Sequence, residues 1–321
     1  MKMGIVGLAS SGKTSIFSIL SGESVDLEEA PADKSKIVNV KVPDERVDFL
    51  SDYYKPEKTT YSDIDFVDLA GFATKKRAGE TFSPQLLAEM RSMDGLLITL
   101  RAFADDSVYH PEGSVDAARD LAFIDAEFLL ADLAVVDAKV ERLRKNSKRG
   151  MKEDEQELEL LERVKTHLEE EKPMRDFPMT FGEEQALRGY AFLSAKPSVL
   201  LLNLDEEQFA QQQDYLRPLE ELSAARPCLP LSAQIEEEIS QLEQEDQRAF
   251  LEDLGLEEPA RSRLIRQCFE LLGLIVFFTV GEDEVRAWTL KRGETALKAA
   301  GRIHSDLERG FIRAEVFAFD D

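Results

Sequence analysis

Basic residues, cysteine, histidine and long apolar runs are all scarce in this 321-residue sequence. Forty Lys and Arg face 64 Asp and Glu, a formal net charge of −24, which excludes a protein that coats nucleic acid with its whole surface. Only Cys228 and Cys268 are present; they lie far apart and without metal-ligand spacing, so neither a disulfide framework nor a zinc site is supported, and buried or idle thiols are expected. The three histidines, His110, His167 and His304, fall in different segments, which leaves no Ser/His/Asp or Cys/His constellation; His304 reads as structural. No apolar run approaches the roughly 18 to 20 residues that span a bilayer. The opening Met-Lys-Met-Gly-Ile-Val-Gly lacks a signal-peptide pattern. A soluble, cytoplasmic protein with no membrane and no DNA partner is expected.

The chain is long enough for two or three domains. Residues 3–8 read as a buried strand running into a Gly/Ser loop and then a helix through Ile16, Phe17, Ile19 and Leu20. Apolar strands are expected at Ile64–Leu69, Gly95–Leu100, Val199–Leu202 and Cys228–Leu231, with helices between, which implies a mostly parallel sheet covered on both faces. From Ser114 to Glu171 the rhythm breaks. Ala126, Leu129, Leu133, Val136, Val140 and Leu143 alternate steps of three and four, and Leu158, Leu161, Val164 and Leu168 form a second stripe. The turn Asn146–Gly150 joins them, so an antiparallel helical hairpin inserted in the α/β domain is expected. Its tip is basic: Lys139, Arg142, Arg144, Lys145, Lys148, Arg149 and Lys152 stand against Glu141 alone. That patch reads either as a solvated tip or as a contact surface for an acidic partner. Near the C-terminus, Val276–Val280, Val285–Thr289 and Ile312–Phe319 read as strands and Gly293–Gly301 as a short helix, a small α+β module.

Gly7-Leu-Ala-Ser-Ser-Gly12-Lys13-Thr14 matches G-x-x-x-x-G-K-[ST] in the strand–loop–helix context the motif requires. Amides of residues 8–13 are expected to wrap phosphates, with Ser10, Ser11, Gly12, Lys13, Thr14 and Ser15 forming the binding segment; Lys13 reaches the β and γ oxygens and the Thr14 hydroxyl binds Mg²⁺. Asp65–Gly71 reads as a strand ending in D-x-x-G: Asp68 would hold Mg²⁺ through water and the Gly71 amide would sense the γ-phosphate. Val199–Glu206 ends in N-x-x-E, with Leu204 and Glu206 where a guanine-reading N-K-x-D has lysine and aspartate. The longer carboxylate arm weakens the case for guanine. Alone, Asn203 and Glu206 also read as an ordinary helix cap. Ser232 and Ala233 close the set at the next strand end.

The ordered motifs, the inserted hairpin, Val285-Arg-Ala-Trp-Thr-Leu and the run Ala300–Glu315 together resemble the YchF / Obg-like ATPase family over nearly the whole chain. The resemblance implies a Ras-like α/β P-loop NTPase domain at 1–113 plus 187–270, a coiled-coil insertion at 114–186 and a β-grasp TGS-like domain at 271–321. It also implies Mg²⁺-dependent hydrolysis of ATP in preference to GTP through the N-x-x-E element, and association with the ribosome, its RNA or proteins, in translation or stress response. The hairpin tip at Lys145–Arg149 and the TGS module are the candidate contacts.

Several features depart from the family pattern. Ala9-Ser10 replaces a proline-asparagine pair in the loop, where backbone amides matter most. The first switch, Glu28–Lys36, carries no threonine, and Ser35 is the nearest substitute. Phe72 stands where Ras-like enzymes place a water-orienting glutamine, which fits an unaided rate as slow as roughly 10⁻⁴ per second. Lys75, Lys76 and Arg77 read either as phosphate-facing in one switch state or as solvated. The family's TGS domain continues beyond Asp321, so the chain is a truncation or the module is incomplete, and an unfinished β-grasp leaves a strand edge open. Two other readings stay open: a nucleotide-binding scaffold that has lost hydrolysis, and a plain GTPase using Asp205 and Glu206.

Overall fold

The computed structural model describes residues 1–22, 36–69, 82–147, 152–223 and 226–319. Five strands read in the sequence as apolar runs form the parallel part of a six-stranded sheet. They are β1 (Lys2–Val6), β4 (Asp63–Asp68), β5 (Gly95–Arg101), β6 (Ser198–Asn203) and β7 (Cys228–Leu231), and the edge strand β2 (Lys36–Lys41) joins them antiparallel. The order is β2-β4-β1-β5-β6-β7. Every residue of β5 and β6 is buried, as expected of strands covered on both faces. On one face Met3, Ile5, Leu97 and Val199 pack beneath α1 (Lys13–Ser21) and α11 (Ala260–Leu271). On the other, Val6, Ile98, Leu200 and Leu202 share a core with α3 (Pro84–Ser92), α8 (Gln212–Leu222), α9 (Ala233–Gln241), α10 (Gln244–Asp253) and the start of α4 (Ala117–Ser147). The C-terminal ends of β1, β4, β6 and β7 therefore lie on one edge of the sheet, where open α/β sheets bind ligands. Among the described residues no helix is long and apolar enough to cross a membrane.

The insertion is a hairpin of α4 and α5 (Lys152–Glu169). Val136, Val140 and Leu143 interlock with Leu161, Val164 and Leu168 as the spacing predicts. Ala126, expected in that seam, is exposed. The first turns of α4 instead bury Leu121, Ile124 and Phe128 against the sheet, and the helix leaves the main core only after Asp132. The hairpin's apolar core also takes in Leu187 and Phe192, past residue 186.

At the hairpin's root, α6 (Phe181–Leu187) opens on a capping box of Thr180 and Glu183. Glu183 also pairs with Arg163 of α5. The Thr180 amide and the guanidinium hold its carboxyl down, from the ordinary 4.5 to about 2. Its contribution is complete above pH 4.5 and disappears as the pH falls from there toward 2. The protection of the α5 and α6 amides, taken relative to the intrinsic exchange rate at each pH, should fall over that window, and Glu183→Gln should remove the acid-dependent step; an unchanged profile in the variant would contradict this.

Near the C-terminus, the first two expected strands are formed as β8 (Leu274–Thr279) and β9 (Glu284–Lys291), paired antiparallel and followed by α12 (Ala296–Ile303) and α13 (Ser305–Arg309). The expected strand at Ile312–Phe319 is not formed: Phe311–Phe319 has no regular secondary structure. Ile312, Val316 and Phe317 are 91%, 82% and 79% exposed, so this run of β-formers meets no sheet edge within the described residues. Two strands escaped the sequence reading. One is β2, which begins at Lys36, the last residue of the segment read as the first switch. The other is β3 (Lys58–Thr60), which pairs with β9 and not with the larger sheet, giving the order β3-β9-β8. Three residues, Lys-Thr-Thr, carry no periodicity to detect.

Candidate functional site

The loop from Gly7 to Gly12 leaves β1 and enters α1. Its glycines are required by close approach. A Cβ on Gly7 would lie 2.4 Å from the Thr99 carbonyl oxygen, and one on Gly12, at φ +95°, would lie 2.2 Å from Asn203 Nδ2. Ser10 holds φ +60°, so the loop doubles back over the helix start. Gly12 supplies no side-chain cap to α1, which leaves first-turn amides facing outward for an anion at the positive end of the helix. Lys13 Nζ lies 2.6 Å from the Leu8 carbonyl oxygen, folded along the loop it serves. Thr14 and Ser15 are exposed on the first turn. Ser11 Oγ is buried without a hydrogen-bond partner among the described residues.

Asn203, the last residue of β6, joins two motifs. Its Nδ2 donates to the Ser11 carbonyl at 3.3 Å and its Oδ1 accepts from the Ala233 amide at 3.4 Å. The loop and the Ser232–Ala233 strand end are thus tied through one 3% exposed amide. Ser232 caps α9. The helix-cap alternative for Asn203 and Glu206 does not hold, because the cap of α7 (Glu206–Phe209) is Asp205 with Gln208. That use also engages the Asp205 carboxylate with the Gln208 amide at 2.8 Å. Glu206 is exposed at the helix start. Leu204 is 2% exposed and belongs to the apolar core; what it offers toward the loop edge is backbone, its amide donating to the Leu231 carbonyl at 2.9 Å. Replacing Asn203 by alanine should weaken nucleotide binding by about 1–3 kcal/mol, the usual consequence of unpaired buried groups. A dissociation constant within about twofold of the parent's would contradict this role.

Asp68, 7% exposed, ends β4 and pairs in register with Ile5 on one side and Lys36 on the other. No cluster of three or more His, Cys, Asp or Glu among the described residues could hold a metal. A buried carboxylate and the Thr14 hydroxyl near a phosphate loop fit a Mg²⁺ ion that takes its other ligands from phosphate and water. Gly71, Ser35, Phe72 and Lys75–Arg77 lie outside the described residues.

A cleft of about 700 Å³ opens beside the loop, lined by Thr14, Ser15, Ser18, Ala233, Glu236 and Arg261 among others, a size suited to a small-molecule ligand. Glu236 and Arg261 were not singled out in the sequence. The Glu236 carboxyl accepts the Ala260 and Arg261 amides at 2.8 and 3.1 Å; burial pushes its pKa up against those bonds. Arg261 donates to the Leu20 carbonyl at 3.1 Å, bracing α1 from behind.

The other candidates are accounted for locally. Burial pushes the Cys228 thiol up to about 12 and raises Cys268 as well, which leaves both unreactive. His110 pairs with Asp120, His167 with the Pro173 carbonyl, and His304 caps α13. In the basic patch, Lys139, Arg144 and Lys145 face Glu157, Glu162 and Glu141; Lys148 and Arg149 lie outside the described residues.

A glycine-bounded loop between a central strand and a helix, a lysine folded along it, a buried aspartate on the neighbouring strand and an asparagine tying the loop to the next strand end define a P-loop NTPase with a Ras-like sheet. Comparison with known proteins specifies it further. A family model named YchF-GTPase_C, described as "Protein of unknown function (DUF933)", matches residues 274–321. The "Ribosome-binding ATPase YchF" of Haemophilus ducreyi is 39% identical over 324 residues, covering 100% of this chain and 89% of that protein. Human "Obg-like ATPase 1" is 34% identical over 332 residues, covering 100% and 83%. The solved structure of the Schizosaccharomyces pombe YchF GTPase superposes with a TM-score of 0.86 at 30% identity, over 97% of this chain and 86% of that one. The chain belongs to the YchF / Obg-like ATPase family.

Proposed function

We propose that this chain binds Mg²⁺-ATP at the 7–14 loop and hydrolyses it slowly to ADP and phosphate in the cytoplasm, with its nucleotide state gating association with the ribosome. The observation that carries the reading is the bridge from Asn203 to both the Ser11 carbonyl and the Ala233 amide, which builds phosphate loop and base-facing strand ends into one unit. Lys13 and the loop amides stabilise charge that develops on the transferred phosphoryl. Thr14 and Asp68 would hold Mg²⁺, which neutralises phosphate charge when bound. The cleft along Thr14, Ser15 and Ala233 takes the nucleoside. Asn203, Glu206, Ser232 and Ala233 line the base end, and Gly71 serves the γ-phosphate side. Adenine is favoured because the Asp205 carboxylate caps α7, and Glu206 presents its carboxylate from a longer arm than an aspartate would. The partner follows the names of the bacterial relatives, which are ribosome-binding.

Single-turnover incubation with Mg²⁺-ATP tests the activity. The expected rate is on the order of 10⁻⁴ per second and is lost on chelation with EDTA; turnover equal to the protein-free blank would refute hydrolysis.

A further inference from the structure

The segment that connects β2 to β4, the strand ending at Asp68, is bound into the C-terminal sheet. β2 and β4 pair antiparallel from Lys36↔Asp68 to Lys41↔Asp63, and the Val42 amide closes this hairpin onto the Ser62 carbonyl at 2.8 Å. Between them, residues 42–62 form α2 (Glu45–Tyr54) and β3, neither of which adds a strand to the six-stranded sheet. β3 runs parallel to β9, with Lys58↔Glu284, Thr59↔Val285 and Thr60↔Arg286 in register. The Glu57 and Lys58 amides extend the ladder to the Glu282 and Asp283 carbonyls, each at 3.1 Å. Thr60 Oγ1 donates to Glu284 Oε1 at 2.6 Å and Lys58 Nζ lies 3.2 Å from the same oxygen. Beneath them Val47 of α2, Val285 and Ala287 form a separate small apolar core. The Arg46 guanidinium sits 4.9 Å from the Phe278 ring centroid.

The other end of the hairpin is the site. Asp68 is the last residue of β4, and its register partner Lys36 is the first of β2. β2 is an edge strand with a single buried side chain, Val40, so it is held mainly by its ladder to β4. A displacement at Asp68 is carried by a continuous hydrogen-bonded hairpin into a sheet about 220 residues further along the chain.

We propose that the β2–β4 hairpin couples the phosphate loop to the C-terminal sheet, so that the nucleotide bound beside Asp68 sets how firmly β3 pairs with β9. The coupling rests on the nucleotide reading above. It acts in both directions: whatever stabilises the β3–β9 pairing favours one nucleotide form by the same free energy.

Hydrogen exchange of the full chain, saturated in turn with Mg²⁺-ADP and with a non-hydrolysable Mg²⁺-ATP analogue, tests this once calorimetry has established that each binds. The amides of 57–60 and 284–290 should differ between the two forms by about fivefold or more, the lower bound of typical coupling, while those of α5 and α6 stay the same. In Lys58→Pro, which removes the donor to the Asp283 carbonyl far from the site, the difference at 284–290 should fall below half. Binding of both nucleotides with equal exchange at 57–60 and 284–290 would overturn the coupling alone, as would a change spread equally over α5 and α6 or an undiminished response in Lys58→Pro. Failure of either nucleotide to bind would overturn the nucleotide reading and the coupling with it.

Discussion

Asp132→Ala should destabilise the protein by about 3–5 kcal/mol, the usual result of removing one partner from a buried ion pair. Asp132 is fully buried on α4, at the point where that helix leaves the main core for the hairpin. Its carboxylate accepts the Leu193 and Ser194 amides at 2.9 and 2.8 Å and the Ser194 hydroxyl at 2.8 Å. It also pairs with Arg91 of α3 at 2.9 Å, and Arg91 in turn donates to the Ala191 and Ala131 carbonyls. One side chain therefore joins the sheet's covering layer, the hairpin and the 3-10 turn Leu193–Ala195 that leads back to β6. Alanine leaves a half-buried guanidinium without its counter-charge and two buried amides without acceptors, each a penalty of about 1–3 kcal/mol. The substitution Asp132→Asn should recover part of the loss, because its amide oxygen still accepts one of the two backbone N–H groups. Urea unfolding reads the effect; a loss below about 1 kcal/mol, smaller than a single unpaired buried group, would show that the core holds the hairpin unaided.

Lys13→Ala should have the opposite profile, with stability nearly unchanged and nucleotide binding lost. Lys13 is partly exposed and donates to a loop carbonyl, so its removal leaves no cavity, and a surface change of this kind shifts stability by within about 0.5 kcal/mol. Toward a triphosphate, however, it supplies a full positive charge inside a cage of amides. Removing one member of such a hydrogen-bonded charge pair takes about 2–5 kcal/mol from binding, roughly 30-fold to several thousand-fold in affinity. Calorimetry and thermal unfolding on the same preparation separate the two effects. Wild-type affinity in the variant would mean that the loop does not hold phosphate.

What the sequence made legible was whatever local chemistry dictates. The phosphate loop could be read because its glycines answer to sterics at Gly7 and Gly12 and its lysine to charge. The parallel strands could be read because burial on both faces forces continuous apolar runs, and β7 came out at its observed limits, Cys228–Leu231. The less legible parts depend on partners distant in sequence. Nothing in Lys58-Thr-Thr60 announces a strand, since its partner begins at Glu284. Ile312–Phe319 has the composition of a strand but no neighbour to pair with among the described residues. Ala126 fits the spacing of the hairpin seam, yet at that height the helix still turns its apolar face toward the sheet. At the site, its place at the lysine position of N-K-x-D put Leu204 in the binding set, whereas its side chain belongs to the core. Glu236 and Arg261 reach the cleft only through the packing of α9 and α11 against α1, which no motif records.

The central claim is an adenine-nucleotide site at the 7–14 loop, read by the β6 and β7 strand ends. Calorimetric titration of the purified chain with Mg²⁺-ATP and Mg²⁺-GTP analogues, side by side, tests it most directly. Tighter binding of the adenine nucleotide is the expected result; tighter binding of the guanine nucleotide, or no heat from either, would contradict it.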